Sequence, residues 1–411
     1  MERNRDIHNY DRTMTRLIQH IESSDVSDDT KQLLLDFDRA MLLLEQLGKP
    51  RRIKLQSTLF LLAREYFHGD LRRVTEDQIK NCIRDLEGKR LSPWTVASYR
   101  VAIKKFYTWL AYGDRMAEMD EAPTIVKWIK VRVKKKDQPR IQARDILTEE
   151  EAFKLIAVAD HPRDRAFISM IYELGARVGE MGGLNVGDVT RDRYSFIVDL
   201  NGKTGHRTPR IVLSDPYLSE WLSHHPQKDD PAAPLWVCPD GKAGYERMQY
   251  AALRALVQRL RKKAGIIKRL YPHLFRHSRV THLLMKHQLN EAQAKVYFGW
   301  TPDSKMLGEY AHLMSRDVND TILQIHGIKP LEESAKADVK TCPRCQRING
   351  REARFCIHCS SILDPGVAFR KDQEQDKTDR ILNLIMADEE IQALILKKFS
   401  RTDVATLKEL Q

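Results

Sequence analysis

Apolar positions in the first 130 residues recur at three- and four-residue steps, and strand-like runs are few. Such spacing lines apolar side chains along one face of a helix, so we predict a helical N-terminal domain over residues 1–130. The clearest helix can be capped by Ser92 and opens at Pro93, whose missing N–H is not needed there. Its apolar stripe consists of Val96, Tyr99, Ile103, Phe106 and Leu110. Three basic residues lie off this stripe and either contact phosphates or simply face solvent: Arg100, Lys104 and Lys105.

The pattern changes at residues 131–145, which are strongly basic, contain one proline and have little apolar content. A segment with so few apolar side chains to bury is expected to be an exposed linker. Its positive charges suit a path along a nucleic-acid backbone.

Residues 146–330 mix helical and strand periodicities, which predicts an α+β domain in a multidomain, mainly α chain. Thr148 and Glu151 have the spacing of a capping box at a helix start, and "DRAFISMIYELGA" predicts a buried helix. "RYSFIVDLNGKTGHRTPRIVLS" predicts two strands joined by a Gly-rich turn at Asn201–Gly205.

The composition indicates the kind of binding partner and the cellular compartment. The chain has 411 residues, room for two or three domains, and its 69 Lys+Arg against 57 Asp+Glu give a net charge of +12. This excess favours nucleic acid as a partner, although a generic basic protein would also show it. We find no apolar run of membrane-spanning length and no signal-peptide pattern at the start. Cysteines concentrated in two CxxC pairs fit a reducing cytosol, so we expect a cytoplasmic protein.

The stretch "YPHLFRHS" places three basic side chains on the first turn of a helix that opens at Pro272. His273, Arg276 and His277 share one face of that turn. A helix N-terminus already carries a partial positive charge, so this choice indicates that an anion binds there.

Other candidate residues are ordinary when taken singly. Arg177 stands between glycines near Glu180, and most arginines in such a place are only surface salt-bridge partners. Lys203 is at a predicted hairpin tip, where lysines are usually only solvated. Trp300 and Tyr310 fall in a helical region, where aromatic residues are most often core.

Taken in order, these residues resemble the catalytic set of the tyrosine recombinase (phage integrase) family, with a resemblance that covers roughly residues 50–325. "PHLFRHSRVTHLL" is close to the family's HxLRHxxxTxLL pattern, "ARVGE" to ARxxE, and "EYAHL" to the YxH around the nucleophile. "FGW" departs from the more common LGH of the family. The resemblance implies a helical core-binding domain and a catalytic domain that close around double-stranded DNA, with a homo-tetramer on two duplexes.

The resemblance also implies roles for the individual residues in DNA integration or excision. Tyr310 would be the nucleophile that forms a 3′-phosphotyrosine link, which conserves the phosphodiester energy without ATP or a catalytic metal. Arg177 and Arg276 would clamp the non-bridging oxygens, and Lys203 would protonate the leaving 5′-oxygen. His273 would assist proton transfer at the tyrosine, and Trp300 would hold a phosphate oxygen.

The C-terminal region predicts a zinc ribbon over residues 338–365, followed by an amphipathic helical tail at 366–411. The predicted ligands of a structural Zn²⁺ are the cysteines of the two CxxC pairs: Cys342, Cys345, Cys356 and Cys359. Four protein thiolates leave no open coordination position, so this zinc would not be catalytic. The ribbon either contacts DNA or protein or is a small module that needs metal to fold. A ribbon appended to a recombinase resembles an archaeal arrangement.

The sequence is also compatible with two alternatives. A zinc-ribbon DNA-binding regulator could use a recombinase scaffold without cutting, although such a protein would have no need of the complete catalytic set. A type IB topoisomerase would use the same chemistry but reseal within one duplex. The separate helical N-terminal domain favours the recombinase.

Overall fold

The computed structural model describes residues 5–134, 137, 142–202, 205–238, 244–285, 289–304 and 308, with short stretches at 340–342, 348–349, 353–356 and 363. The chain divides into an N-terminal unit, Asn4–Asp145, and a C-terminal unit that begins at Ile146. Within the described part of the chain, no helix combines the length and apolarity that a bilayer crossing requires.

The N-terminal unit is helical throughout its described residues, as the hydrophobic spacing predicts. Its helices are α1 (Tyr10–Glu22), α2 (Asp28–Leu43), α3 (Lys49–Glu65), α4 (Glu76–Gly88), α5 (Pro93–Tyr112) and α6 (Thr124–Lys127), with a 3₁₀ turn at Gly113–Ala117. Helix α5 starts as predicted, because the Ser92 hydroxyl accepts a hydrogen bond from the Thr95 N–H and Pro93 follows it. Ile103 and Phe106 of α5 are fully buried in the core of this unit.

The basic residues of α5 bind partners within their own unit. Arg100 forms an ion pair with Glu87, and Lys105 forms one with Glu45. Lys104 donates to the carbonyl oxygen of Ile129 at 3.4 Å. These side chains therefore neither face solvent alone nor stand ready for phosphates without rearrangement.

The predicted linker is not exposed along its whole length. Val133 is buried and belongs to the N-terminal unit, so the expectation of an exposed segment over residues 131–145 was wrong at this position. An apolar side chain two residues beyond Val131 can return to the core even within a basic run. Residues 135–136 and 138–141 lie outside the described residues.

The C-terminal unit combines helices with short strands. Its helices are α7 (Glu149–Ala157), α8 (Pro162–Leu174), α9 (Val178–Gly182), α10 (Asp215–His224), α11 (Tyr250–Lys263), α12 (Pro272–Met285) and α13 (Glu291–Phe298), and the 3₁₀ turn at Ala143–Asp145 belongs to the end of the N-terminal unit. The capping box predicted for α7 is confirmed, since Thr148 and Glu151 exchange both hydrogen bonds. Helix α8 is buried along its length and packs against α7, α10 and α12, as its apolar sequence predicts.

The predicted hairpin is present, and one strand before it was not predicted. In the hairpin, β3 (Leu200–Gly202) pairs antiparallel with β4 (Gly205–Arg207), and the bridge between Ile197 and Arg210 continues the same register. The additional strand, β1 (Val189–Arg191), pairs antiparallel with β2 (Phe196–Val198), and the Asp199 N–H extends this pairing by donating to the carbonyl oxygen of Asp188 at 2.8 Å. The β3–β4 hairpin keeps the predicted position of the turn, and Lys203 in that turn lies outside the described residues.

The described fragments of the C-terminal region include one more hairpin, in which β5 (Lys340–Thr341) pairs with β6 (Ile348–Asn349). Cys342 follows β5 directly and is buried, as is Cys356. Cys345, Cys359 and the predicted helical tail at 366–411 lie outside the described residues.

Candidate active site

The first element of the site is the sharp chain reversal between α8 and α9. Gly175 ends α8 in the left-handed conformation, with φ of 52°. Arg177 then precedes α9, and its Nη1 donates to Oε1 of Glu180 at 2.7 Å while its backbone N–H donates to Oε2 at 3.1 Å. The Arg177 side chain is 31% exposed and that of Glu180 only 3%. The buried carboxylate therefore orients a guanidinium that solvent can still reach.

Glu180 has a second arginine partner. Both Nη atoms of Arg207, at the end of β4, donate to Glu180 Oε2, at 3.0 and 2.9 Å. Burial alone would raise the Glu180 pKa, but the charge of Arg207 and the hydrogen bonds from Arg177 outweigh it and hold the pKa below its usual value. The carboxylate therefore stays ionised. Sequence reasoning missed Arg207, although it lies in the same quoted stretch as Lys203.

The backbone of β3 packs directly on this carboxylate. A Cβ added to Gly202 would lie 2.3 Å from Glu180 Oε1, so only glycine allows the strand to approach so closely. Gly202 immediately precedes Lys203. The hairpin that carries the predicted general acid is thus in contact with the residue that orients Arg177.

The second arginine of the predicted clamp is held differently. Arg276, on the first turn of α12, is 2% exposed. Its Nη1 donates to the carbonyl oxygen of Gly175 at 3.0 Å, and its Nη2 donates to that of Phe298 at 2.7 Å. The guanidinium lies over the rings of Phe298 and Trp300, at 5.6 and 5.8 Å from their centroids. Backbone carbonyls and aromatic faces therefore fix Arg276 in place.

The two histidines of α12 contact each other. The rings of His273 and His277 meet edge to face, with centroids 4.6 Å apart. Desolvation by the neighbouring protein atoms lowers the pKa of His273, and the charges of Arg276 and Arg177 lower it further. Burial, His273 and Arg276 lower the pKa of the buried His277 to about 4. Both imidazoles are therefore uncharged at neutral pH.

The aromatic residues on and after α13 differ in their surroundings. Trp300 is buried and packs on Phe298, with ring centroids 5.4 Å apart. Tyr297 donates its hydroxyl to the carbonyl oxygen of Glu173 at 3.0 Å, and burial raises its pKa to about 12. A phenol so committed is a poor nucleophile. Tyr310 lies outside the described residues.

The structure thus brings together four of the six residues predicted for catalysis. Arg177 and Arg276 are close enough to His273 for their charges to shift its pKa, and Trp300 stacks over Arg276. These residues come from the start of α9, the start of α12 and the segment that follows α13, and Arg276 is held by hydrogen bonds to backbone carbonyls. Such an arrangement can bind an anion in a fixed orientation.

Residues 145–316 match the model of the phage integrase family. This part of the chain is therefore a phage integrase (tyrosine recombinase) family domain, as the sequence motifs indicate.

Named relatives agree with this class. Tyrosine recombinase XerC of Xanthomonas campestris pv. campestris (strain B100) is 27% identical over 219 residues, which are 52% of this chain and 63% of the relative. Tyrosine recombinase XerA of Pyrococcus horikoshii is 31% identical over 138 residues, 34% of this chain and 47% of the relative. The chain thus spans less than two thirds of the length of these curated relatives.

A solved structure supports the fold. The XerH site-specific recombinase bound to palindromic difH substrate, in a post-cleavage complex, is similar with a TM-score of 0.52 at 17% identity. The similarity covers 79% of this chain and 98% of that one. The described part of this chain therefore has the tyrosine recombinase fold, mainly helical with small sheets.

Proposed function

We propose that this protein is a site-specific DNA recombinase that cuts and rejoins DNA through a covalent 3′-phosphotyrosine intermediate. The observation that carries the proposal is the cluster of Arg177, His273 and Arg276, in which a buried carboxylate orients Arg177, within the segment that matches the phage integrase family. The net charge of +12 and the palindromic difH substrate bound in the similar XerH recombinase structure support double-stranded DNA as the substrate.

The arginines would act on the transition state. As the hydroxyl of Tyr310 attacks the scissile phosphorus, negative charge grows on the non-bridging oxygens. Arg177 is accessible to solvent and would bind one of these oxygens. Arg276 is already fixed by carbonyl oxygens and would add its positive charge. Donors that are oriented before the reaction stabilise such charge without reorganisation, which is usually the largest catalytic contribution.

The protons and bonds balance without another reactant. The bond between phosphorus and Tyr310 oxygen forms as the bond to the 5′-oxygen breaks. His273, uncharged at neutral pH, would accept the tyrosine proton, and Lys203 would donate a proton to the leaving oxygen. Rejoining reverses these steps, because the covalent link keeps the energy of the phosphodiester. By the same family resemblance, four copies would act together on two duplexes.

Trapping the covalent adduct tests this function. The full chain is mixed with a library of nicked duplexes of randomised sequence, in which loss of the short 5′ fragment prevents rejoining, and denaturation-resistant complexes are recovered. Wild type should yield adducts on particular sequences, and Tyr310→Phe should bind the same duplexes without forming any. Tyr297→Phe is the matched control and should still form the adduct, since its hydroxyl is bonded to Glu173.

The outcomes separate the alternatives. An adduct that persists in Tyr310→Phe would show that the nucleophile is another residue. No adduct from wild type on any sequence would favour a non-cutting DNA-binding regulator. Adducts with relaxation of supercoiled DNA but no strand exchange between duplexes would indicate a topoisomerase.

We also propose that residues 338–365 bind one structural Zn²⁺ through Cys342, Cys345, Cys356 and Cys359. The described residues fit such a site, because Cys342 and Cys356 are both buried and the β5–β6 hairpin flanks the first CxxC pair. Burial of thiols beside a short hairpin suits a tetrahedral thiolate site. Elemental analysis of the purified protein should give one zinc per chain, lost in Cys342→Ser, and native protein without zinc would contradict the site.

A further inference from the structure

Arg207 joins the elements beneath the site, although the mechanism above assigns it no role. It lies four residues after Lys203, at the end of β4, and its side chain is 7% exposed. Besides its two hydrogen bonds to Glu180, it packs against Gly299, where an added Cβ would lie 3.0 Å from Arg207 Nη1. Gly299 directly precedes Trp300. Arg207 thus contacts α9 and the segment that leads to Trp300 from the hairpin of the proposed general acid.

Stability alone gives little reason for an arginine in this place. A buried ion pair loses most of its attraction to desolvation, and apolar replacements of such pairs are often neutral or stabilising. Arg207 Nε is buried and makes no hydrogen bond to the residues that the structure describes, which adds a further cost. An interaction of this kind is better explained by what it does to its neighbour.

Charge supplies that explanation. Glu180 bears one negative charge, and Arg177 and Arg207 each bear one positive charge, so the three side chains together keep one positive charge in excess. Without Arg207, Glu180 would face Arg177 alone, and the pair would have no net charge. At the short distances and low dielectric of a buried site, this difference weighs heavily on an incoming anion.

We propose that Arg207 is a positioning residue for Arg177: it takes up the charge of Glu180, so that Arg177 keeps its own charge for the scissile phosphate. The same contacts hold the β3–β4 hairpin and Gly299 against α9. This inference rests on the proposed function, because the anion in question is the phosphate that Arg177 would bind.

The test compares Arg207→Gln with Arg210→Gln in the full chain. Arg210 lies three residues further along and pairs with Asp192 at the surface, so it controls for the loss of one positive charge. On a duplex recovered from the library, Arg207→Gln should bind DNA like wild type but form adduct roughly 10- to 100-fold more slowly, less than for loss of a direct donor. Arg210→Gln should stay within about threefold of wild type.

A substrate with an uncharged scissile group distinguishes an electrostatic role of Arg207 from a purely structural one. A methylphosphonate at the scissile position removes the negative charge that Arg177 would bind. The loss caused by Arg207→Gln should then shrink to within about threefold. The same loss on both substrates, or no loss on the normal phosphate, would overturn the proposal.

Two further arms keep the inference testable by itself. If Arg207→Gln fails to fold, the double variant Glu180→Gln/Arg207→Gln and Arg207→Lys replace it. The double variant removes both buried charges and should react faster than Glu180→Leu/Arg207→Gln, since glutamine can still hold Arg177, and Arg207→Lys should retain most of the rate. A slow Arg207→Lys and equal rates of the double variants would overturn the proposal.

If wild type forms no adduct, the proposed function fails while this inference can still be judged. Calorimetric titration with inorganic phosphate then measures the anion affinity directly. Wild type and Arg210→Gln should bind phosphate with the same affinity and Arg207→Gln more weakly. Equal affinity in all three proteins would overturn the role of Arg207.

Discussion

Two carboxylates in the C-terminal unit, Asp164 and Glu180, are each buried between two arginines. Asp164 Oδ1 accepts from Nε and Nη2 of the buried Arg163, at 2.8 and 2.6 Å, and its Oδ2 accepts from Arg259 at 2.5 Å. In each cluster one arginine is buried and the other reaches solvent. Arg259 is even the more accessible of the two outer arginines, with 62% of its side chain exposed.

The neighbours of the two outer arginines differ. Near Arg259 lies another carboxylate, Asp160, whose pKa is lowered by Lys263 first and by the charge of Arg259 among others. Near Arg177 lie His273 and Arg276, and both arginines lower the pKa of that histidine. One outer arginine therefore has an anion beside it already, and the other stands among positive charge and an uncharged imidazole.

An exposed arginine on a buried carboxylate does not by itself make an anion site. The surrounding charge decides whether an external phosphate gains by binding. The Asp164 cluster supplies its own anion and serves to join α8 to α11, whereas the Glu180 cluster leaves positive charge uncompensated at the proposed active site.

Removal of the inner arginine should be the most damaging change in the Asp164 cluster. Arg163→Met leaves a buried carboxylate without its main partner, and such a loss costs about 3–5 kcal/mol of unfolding free energy. Arg259→Met should cost about 0–1 kcal/mol, because that pair ends in solvent. Urea unfolding of both variants measures the difference. Similar costs for the two would mean that burial does not distinguish them.

In the Glu180 cluster, removal of the outer arginine, Arg177, should lower the rate of adduct formation. Arg177→Ala is expected to retain DNA binding and to form adduct about 10²–10³-fold more slowly, as for loss of one donor to a transition-state oxyanion. Arg259→Ala, the matched control, should stay within a few-fold of wild type at saturating DNA. Equal effects of the two substitutions on the rate would show that Arg177 has no special role at the reacting phosphate.

The features of the fold and of the site that sequence could predict are local. The caps at Ser92 and Thr148 and the start of α12 at Pro272 are correct, because each depends on residues within one helical turn. The motif around Arg177 and Glu180 is also local, since the two side chains are three residues apart and bond to each other.

The parts that sequence could not predict depend on distance along the chain or on a backbone break. Arg207 meets Glu180 across 27 residues, and an arginine in a strand has no local signal for its partner. Strand β1 was missed because three residues are too few to show a clear alternation, and its pairing with β2 is visible only in the folded chain. The burial of Arg276 likewise depends on carbonyl oxygens from two other segments.

A methyl group on Gly202 should disturb the Glu180 cluster in particular. The added Cβ would overlap Glu180 Oε1, and that carboxylate cannot move away without losing its arginines. Gly202→Ala should therefore lower the unfolding free energy by about 1–3 kcal/mol, typical of overpacking. Gly179→Ala, on α9 with no atom within 4 Å of its added Cβ, should be neutral or slightly stabilising. Thermal or urea unfolding compares them, and equal stability would show that β3 can shift.

The histidines near the two clusters should differ in their effect on acid stability. The unfolded chain protonates His277 near pH 6.5, but in the folded protein its pKa is about 4, so acid favours the unfolded state over that range. Between pH 7 and pH 5 this should remove about 1–2 kcal/mol of unfolding free energy, given about 1.4 kcal/mol per pKa unit. His277→Gln should lose that part of the pH dependence.

His161, which is exposed beside Arg163 and Asp164, also has a lowered pKa, but His161→Gln should leave the slope closer to wild type. Urea unfolding at the two pH values measures the slopes. A His277→Gln slope that parallels wild type would mean that the packing of His277 beside His273 and Arg276 does not keep it uncharged.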